Sequence, residues 1–371
     1  MSQHRQHAYP ALDGMRGVAA IAVMLHHFPP LRQPALFHNG LLAVDVFFVM
    51  SGFVIAGVYD TRLAGGLGTR RFMLVRYVRL WPMLALGVAA GLAQALLVPV
   101  PPKDLPLAAA GRIACAGFGL AILPCPLPSP WLFPTDMPEW SLFYELLANL
   151  LFALAFVPLL KEGRMMIAVI APAGAVLAIG ILHHRGASFG GGLHSMPFEL
   201  SRVTFSFFLG LLLQRTQPLW APRLPRLSPW LVYGLLLAVL AAPTPHALDT
   251  AVHMAVVLVA SPLLIGLGAV AAPQGRWMGA SALLGAMSYP LYCLHQPIMF
   301  AARGLIERAG TVSPGMDLML ALAIVAVCLA LPSTYETPAR RALVALLDRS
   351  LRLGPPSPAG GRSAGDSAGA G

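Results

Sequence analysis

Apolar runs of membrane-spanning character recur along most of the chain, separated by short polar segments. They cover residues 11–28, 40–59, 80–98, 140–160, 165–182, 201–213, 229–242, 251–271, 282–302 and 315–331. As helices, runs near twenty residues match the roughly 30 Å hydrocarbon core of a bilayer. The pattern therefore predicts an all-α, polytopic membrane helix bundle of about ten transmembrane helices. A further run, 107–123, is interrupted by Arg112 and by glycine and cysteine positions.

Loop charge decides how that run is read. If it does not cross and the N-terminus is inside, one side of the membrane collects Arg5, the group Arg62, Arg70, Arg71, Arg76 and Arg79, then Lys161 and Arg164. The same side holds Arg215, Arg223, Arg226, Arg276, Arg340, Arg341, Arg349, Arg352 and Arg362, whereas the other holds Arg32, Lys103, Arg112, Arg185, Arg303 and Arg308. Letting 107–123 cross would place Arg215, Arg223 and Arg226 outside, against the positive-inside bias. Both termini are thus expected inside, with 107–123 as an outer re-entrant or interfacial segment. Residues 1–340 form the integral-membrane domain. Residues 341–371 read as a basic, then Pro/Gly/Ser-rich tail, disordered from 354 onward. The first run carries Arg16 and His27 and is expected to remain as a span rather than be cleaved as a signal. No internal repeat is visible, and the sequence leaves no room for an added soluble catalytic domain, so chemistry is expected within the membrane unit.

Composition supports this picture: 57% of residues are hydrophobic and 11% charged. The net charge of +10 would suggest nucleic acid in a soluble protein. Here the loop bias explains it, and no nucleic-acid partner is expected. Cys115, Cys125, Cys293 and Cys328 lack metal-ligand spacing, and no metal is expected. Cys115 and Cys125 pair only if their segment faces an oxidising compartment; buried thiols are the default.

Ionisable residues inside the apolar runs are the candidate chemistry, because a charge in hydrocarbon is costly and usually faces a protein interior or a wet cavity. Arg16 and His27 stand eleven positions apart, nearly on one helix face and about 16 Å along it. Asp13 lies one turn before Arg16. Asp45, five residues into the second run, is expected at the depth of His27. An imidazole beside a carboxylate suits general-base work, and a structural ion pair explains the same spacing. His26 lies about 100° around the helix and reads as packing. Ser51 and Gly52 are small residues that favour close helix approach.

Arg76 and Arg79 share a helix face beside Arg70 and Arg71. They fit plain topology or anionic lipid as well as a phosphate clamp. Glu145, within an apolar run behind Trp140 and Tyr144, is read as functional. Asp136 and Glu139 fall in the preceding loop and read equally well as solvated. Tyr289, Tyr292 and His295 recur every three residues on one face, fitting a ligand wall or a hydrogen-bonded helix interface. Glu336 is expected to pair with a nearby arginine.

Six segments taken together resemble the acyltransferase 3 family of bacterial integral-membrane transferases. They are LDGMRGVAAIAVMLHHF, VDVFFVMSGFVI, RYVRLWP, WSLFYE, SYPLYCLH and YETP, in family order from Leu12 to Pro338. The resemblance places the family's Arg-and-His pair on Arg16 and His27, its Asp on Asp45, its Arg-x-x-Arg on Arg76 and Arg79, and its Glu on Glu145. It implies transfer of an acyl group, often acetyl, from acyl-CoA to a hydroxyl of a carbohydrate, glycolipid or other sugar-containing acceptor. Acyl-CoA is then a donor substrate, and no permanently bound cofactor is implied. The implied setting is the bacterial inner membrane, multi-pass, with both termini cytoplasmic and the bilayer as partner.

On this reading His27, Asp45 and Glu145 are catalytic, and Arg16, Arg76 and Arg79 bind the donor. Ser51, Trp140, Tyr289, Tyr292 and His295 support or bind the acceptor. A transporter or flippase of a polar envelope precursor is the alternative, with the same charges lining a pathway.

Overall fold

The computed structural model describes residues 9–28, 37–98, 107–155, 163–187, 189–272, 275–311 and 313–351. Among them the regular structure is helical, with one isolated bridge between Trp131 and Gly192. The chain runs through α1 (Pro10–His27), α2 (Ala43–Ala64), α3 (Thr69–Leu97), α4 (Ala109–Leu120) and α5 (Glu139–Ala155). It continues through α6 (Gly163–His183), α7 (Met196–Arg215), the short α8 (Gln217–Trp220), α9 (Pro229–Ala241) and α10 (Asp249–Ala255). The last helices are α11 (Ser261–Val270), α12 (Arg276–Ala309), α13 (Pro314–Leu331) and α14 (Thr337–Leu351). Single π turns, Val256–Ala260 and Pro332–Glu336, join α10 to α11 and α13 to α14.

Among the described residues, each of the ten runs read from the sequence falls on helix. Six helical segments among the described residues are long and apolar enough to cross a membrane: Gly40–Ala64, Thr69–Leu97, Met165–His183, Leu193–Arg215, His246–Val270 and Pro314–Leu347. The other four runs lie on α1, α5, α9 and α12. Helix α9 has only 13 residues, and α1 carries Asp13, Arg16, His26 and His27 in its 18.

The 107–123 run is helical over the 12 residues of α4. It lies antiparallel along α3: Arg112 donates to the Ala95 carbonyl, and the Leu120 carbonyl accepts from Tyr77 Oη (3.0 Å) and Trp81 Nε1 (3.1 Å). Cys115 and Cys125 are joined in a disulfide, so the expectation of buried thiols is corrected for this pair. It holds for Cys293 and Cys328, which are free and buried. The tail is helical from 341 to Leu351 as part of α14. Its remainder, 354–371 included, lies outside the described residues, as do Arg5, Arg32, Lys103, Lys161, Arg352 and Arg362.

Two apolar cores hold the bundle. One gathers Phe53, Phe152, Phe207 and Val257, the other Met83, Leu291, Met299 and Ile324. Phe47 and Phe143 pack against both. Helix α1 lies along α12, and α2 lies along α7.

Glycine sets the second of these contacts. A Cβ on Gly52 would overlap the Phe207 carbonyl, and one on Gly210 would overlap the Val49 carbonyl. The two backbones therefore touch where only hydrogen fits, the close approach expected of small residues in a membrane interface. Gly52→Val should destabilise the protein by about 1–3 kcal/mol, because a backbone carbonyl cannot swing aside as a side chain can. Thermal unfolding in detergent measures this; an unchanged midpoint would refute the tight α2–α7 contact.

Candidate functional site

Several of the polar residues singled out from the sequence converge where α1, α2, α3, α5 and α12 meet. At one end Glu145 of α5 accepts from Arg76 (2.8 Å) and from Ser51 Oγ (2.7 Å), both on Oε1. Arg76 is buried and Arg79, one turn on, is exposed. Arg16 pairs with Asp13 at 2.6 Å and feels the charges of Arg79, Glu145 and Glu336. Glu336, on the π turn, lies within electrostatic reach of Arg340, Arg79 and Arg16. One mixed cluster, rich in guanidinium, thus gathers residues scattered from 13 to 340. Of the Arg76 and Arg79 pair, Arg76 is committed to Glu145, and Arg79 is exposed.

From that cluster a line of polar groups runs along α5 and α12. One turn before Glu145, Ser141 hydrogen-bonds Tyr292 at 2.5 Å, and the Tyr292 hydroxyl also donates to the Pro138 carbonyl at 3.3 Å. Tyr289 donates to the Leu80 carbonyl at 2.6 Å. One turn beyond Tyr292, His295 donates from Nδ1 to the Leu291 and Tyr292 carbonyls. Its Nε2 has no hydrogen-bond partner among the described residues. The His295 ring stands 5.1 Å from that of His27, centroid to centroid.

His27 donates from Nδ1 to the Val23 carbonyl at 2.8 Å. That bond places the proton on Nδ1 and the lone pair on Nε2, the tautomer a general base needs. The hydrogen bond that orients the His27 ring thus goes to a backbone carbonyl one turn back rather than to Asp45.

Asp45 itself lies elsewhere. Its side chain is 0% exposed, and Arg202, 2% exposed, grips both carboxylate oxygens at 2.9 and 2.6 Å. The same guanidinium donates to the carbonyls of Ala187, Phe189 and Leu41. The expected His27–Asp45 pair is thus corrected to an Asp45–Arg202 pair. The guanidinium fork engages both oxygens of Asp45, a bidentate geometry.

Of the other residues, His26 fastens the chain before α2 by donating to the Phe37 carbonyl at 2.8 Å, in keeping with its packing assignment. Trp140 packs edge-on against Phe48 and Tyr144, away from the polar line. Glu145 joins the basic cluster rather than His27.

Sequence reasoning passed over several buried groups. Asp136 is 4% exposed and Glu139 1% exposed, not solvated. Asp136 Oδ1 and both Glu139 oxygens lack partners among the described residues. Burial holds the Asp136 carboxyl well above the usual carboxylate range. Glu199 is fully buried on α7, accepting from Ser195 Oγ and from the Gly192 N–H. Two signals were available: carboxylates three apart at the mouth of an apolar helix, and a lone arginine at the start of the 201–213 run.

A family profile described as an acyltransferase domain, that of acyltransferase 3, matches residues 9–335. The chain belongs to the acyltransferase 3 family. The match runs from the residue before α1 into the π turn after α13, so it contains Arg16, Arg76, Arg79 and Glu145 of the basic cluster, the polar line and both histidines. Among similar proteins, "Protein 2 in picA locus" of Rhizobium radiobacter is 39% identical over 166 residues, which cover 41% of this chain and 85% of that protein. A peptidoglycan O-acetyltransferase of Listeria monocytogenes is 33% identical over 75 residues, 20% of this chain. The matched part makes up 11% of the length of that enzyme. No solved structure matches the chain.

Proposed function

We propose that this protein is a membrane O-acyltransferase that moves an acyl group, most simply acetyl, from cytoplasmic acyl-CoA to a hydroxyl of a glycan or other sugar-containing acceptor. The observation that carries the proposal is the polar line from the Arg76–Glu145 cluster through Ser141 and Tyr292 to the facing rings of His295 and His27. On this reading a phosphate-bearing donor and a hydroxyl acceptor lie toward opposite ends of that line. Acetyl transfer is in keeping with the O-acetyltransferase name of the Listeria relative.

In this proposal the chain crosses the bacterial inner membrane ten times with both termini cytoplasmic, and α4 is re-entrant from outside. The loop charges support this orientation. So does the Cys115–Cys125 disulfide, at home on an oxidising side. Arg79 and Arg16 hold the donor phosphates at the inner end, guanidinium forks being suited to phosphate. The pantetheine arm reaches along the polar line and presents the thioester near His27. The Nε2 lone pair of His27 takes the proton of the acceptor hydroxyl as its oxygen attacks the carbonyl carbon. The new C–O ester bond forms, the C–S bond breaks, and the thiolate leaves with the proton returned by the imidazolium. His295 Nε2 accepts from a neighbouring hydroxyl of the acceptor and so positions it. Ser51 orients Glu145, which holds Arg76 in place between donor and chamber.

The test supplies the purified protein in nanodiscs with labelled acetyl-CoA and a panel of envelope glycans, reading free CoA and acylated product. Acceptor-dependent CoA release is expected. Arg79→Ala should raise KM for acetyl-CoA by about tenfold with little change in kcat, the loss of one charged phosphate contact. Movement of glycan across the membrane without CoA release would refute the proposal.

A further inference from the structure

Away from the polar line, three side chains from two distant segments meet head to head. His38 Nε2 lies 2.8 Å from Asp249 Oδ1, and His246 Nδ1 lies 3.1 Å from Asp249 Oδ2. The two imidazole rings stand 5.4 Å apart. One ligand atom from each residue falls within 4.8 Å of the other two. The geometry points to a divalent transition-metal site, of zinc type, made by His38, His246 and Asp249.

The donor set is the argument. Two imidazole nitrogens and one carboxylate are ligands that zinc accepts, and three protein ligands leave a fourth position for water. With bonds near 2.0–2.1 Å, tetrahedral ligand atoms stand about 3.3 Å apart, within the 4.8 Å that holds the three ligand atoms here. Two neutral imidazoles and one carboxylate leave a bound dication with a single net positive charge.

The surroundings also hold the ligand-bearing segments in place. His253 accepts the Ala187 N–H on Nδ1, which puts its proton on Nε2, directed to Asn39 Oδ1 at 3.2 Å. Asn39 in turn donates to the Ala242 carbonyl (3.2 Å) and Thr244 Oγ1 (3.0 Å). His253 is thus spent as a brace rather than a ligand. It fixes the neighbour of His38 against the segment that leads to His246. Such outer hydrogen bonds orient the ligands that bind a metal.

A bound metal would clip the segment entering α2 to the one entering α10. The clipped segment contains Leu41, whose carbonyl accepts from Arg202. The expectation of no metal came from cysteine spacing, and this set uses none. The inference is independent of the acyl-transfer proposal.

Zinc binding by tag-free protein, titrated against a chromophoric chelator, tests the site, with Co2+ as a spectroscopic probe. One equivalent of Zn2+ and a Co2+ visible band are expected. His246 is 91% exposed, so His246→Ala should fold normally. It should weaken binding on the order of 100-fold, and His38→Ala should do the same. A double change at His183 and His184, an adjacent pair outside the site, should leave binding intact. The inference fails if Zn2+ binds no tighter than about 100 μM. It also fails if the His183/His184 variant loses the metal while His246→Ala keeps it.

Discussion

His27→Ala should remove acyl transfer, lowering kcat by about 10²–10⁴-fold, the usual contribution of a positioned general base. The structure supplies the reason in two parts. The Nδ1 bond to the Val23 carbonyl fixes the ring and its tautomer. The neighbouring His295 ring, 5.1 Å away, brings a second imidazole to the same end of the polar line. Because His27 is only half-buried and its Nδ1 bond is to its own helix, its loss should leave the fold intact. His26→Ala is the comparison: it removes the bond to the Phe37 carbonyl and should cost stability with kcat largely retained. The measurement is single-turnover acetyl transfer in nanodiscs, alongside thermal unfolding of each variant. A His27→Ala protein within about tenfold of full rate would overturn the base assignment.

Asp45→Ala should unfold the protein rather than merely silence it, costing about 3–5 kcal/mol. The substitution leaves the Arg202 guanidinium buried with carbonyl acceptors and no counter-charge. The companion Asp45→Leu, Arg202→Leu double variant removes both charges, and it should recover most of that loss, since a buried ion pair replaced by apolar groups is often near neutral. Thermal or denaturant unfolding of the single and double variants measures the coupling. If Asp45 instead served His27, Asp45→Ala would lose activity at full stability, and the double variant would restore nothing.

Much of the fold was legible in advance because membrane insertion is written in local pattern. Apolar runs 40–59 and 165–182 became helices at nearly their expected bounds, since in hydrocarbon a segment must satisfy its own backbone hydrogen bonds. The short or charge-bearing runs on α1, α5, α9 and α12 were harder to class by length and apolarity. Within single helices the i, i+3 and i, i+4 relations also held, which is why Tyr292 and His295 fell on one face.

Partner choice was not legible. Asp45 and Arg202 are 157 residues apart, Arg76 and Glu145 are 69, and Ser141 and Tyr292 are 151. The sequence by itself determined that charges had been placed in apolar helices, and that each therefore needed a partner or a wet chamber. Only the tertiary structure decided which partner each received. Both Arg202 and His27 were within the possible reach of Asp45, and packing of α2 on α7 through Gly52 and Gly210 delivered the arginine. A charge states its cost locally, but its compensation depends on which helix happens to lie beside it.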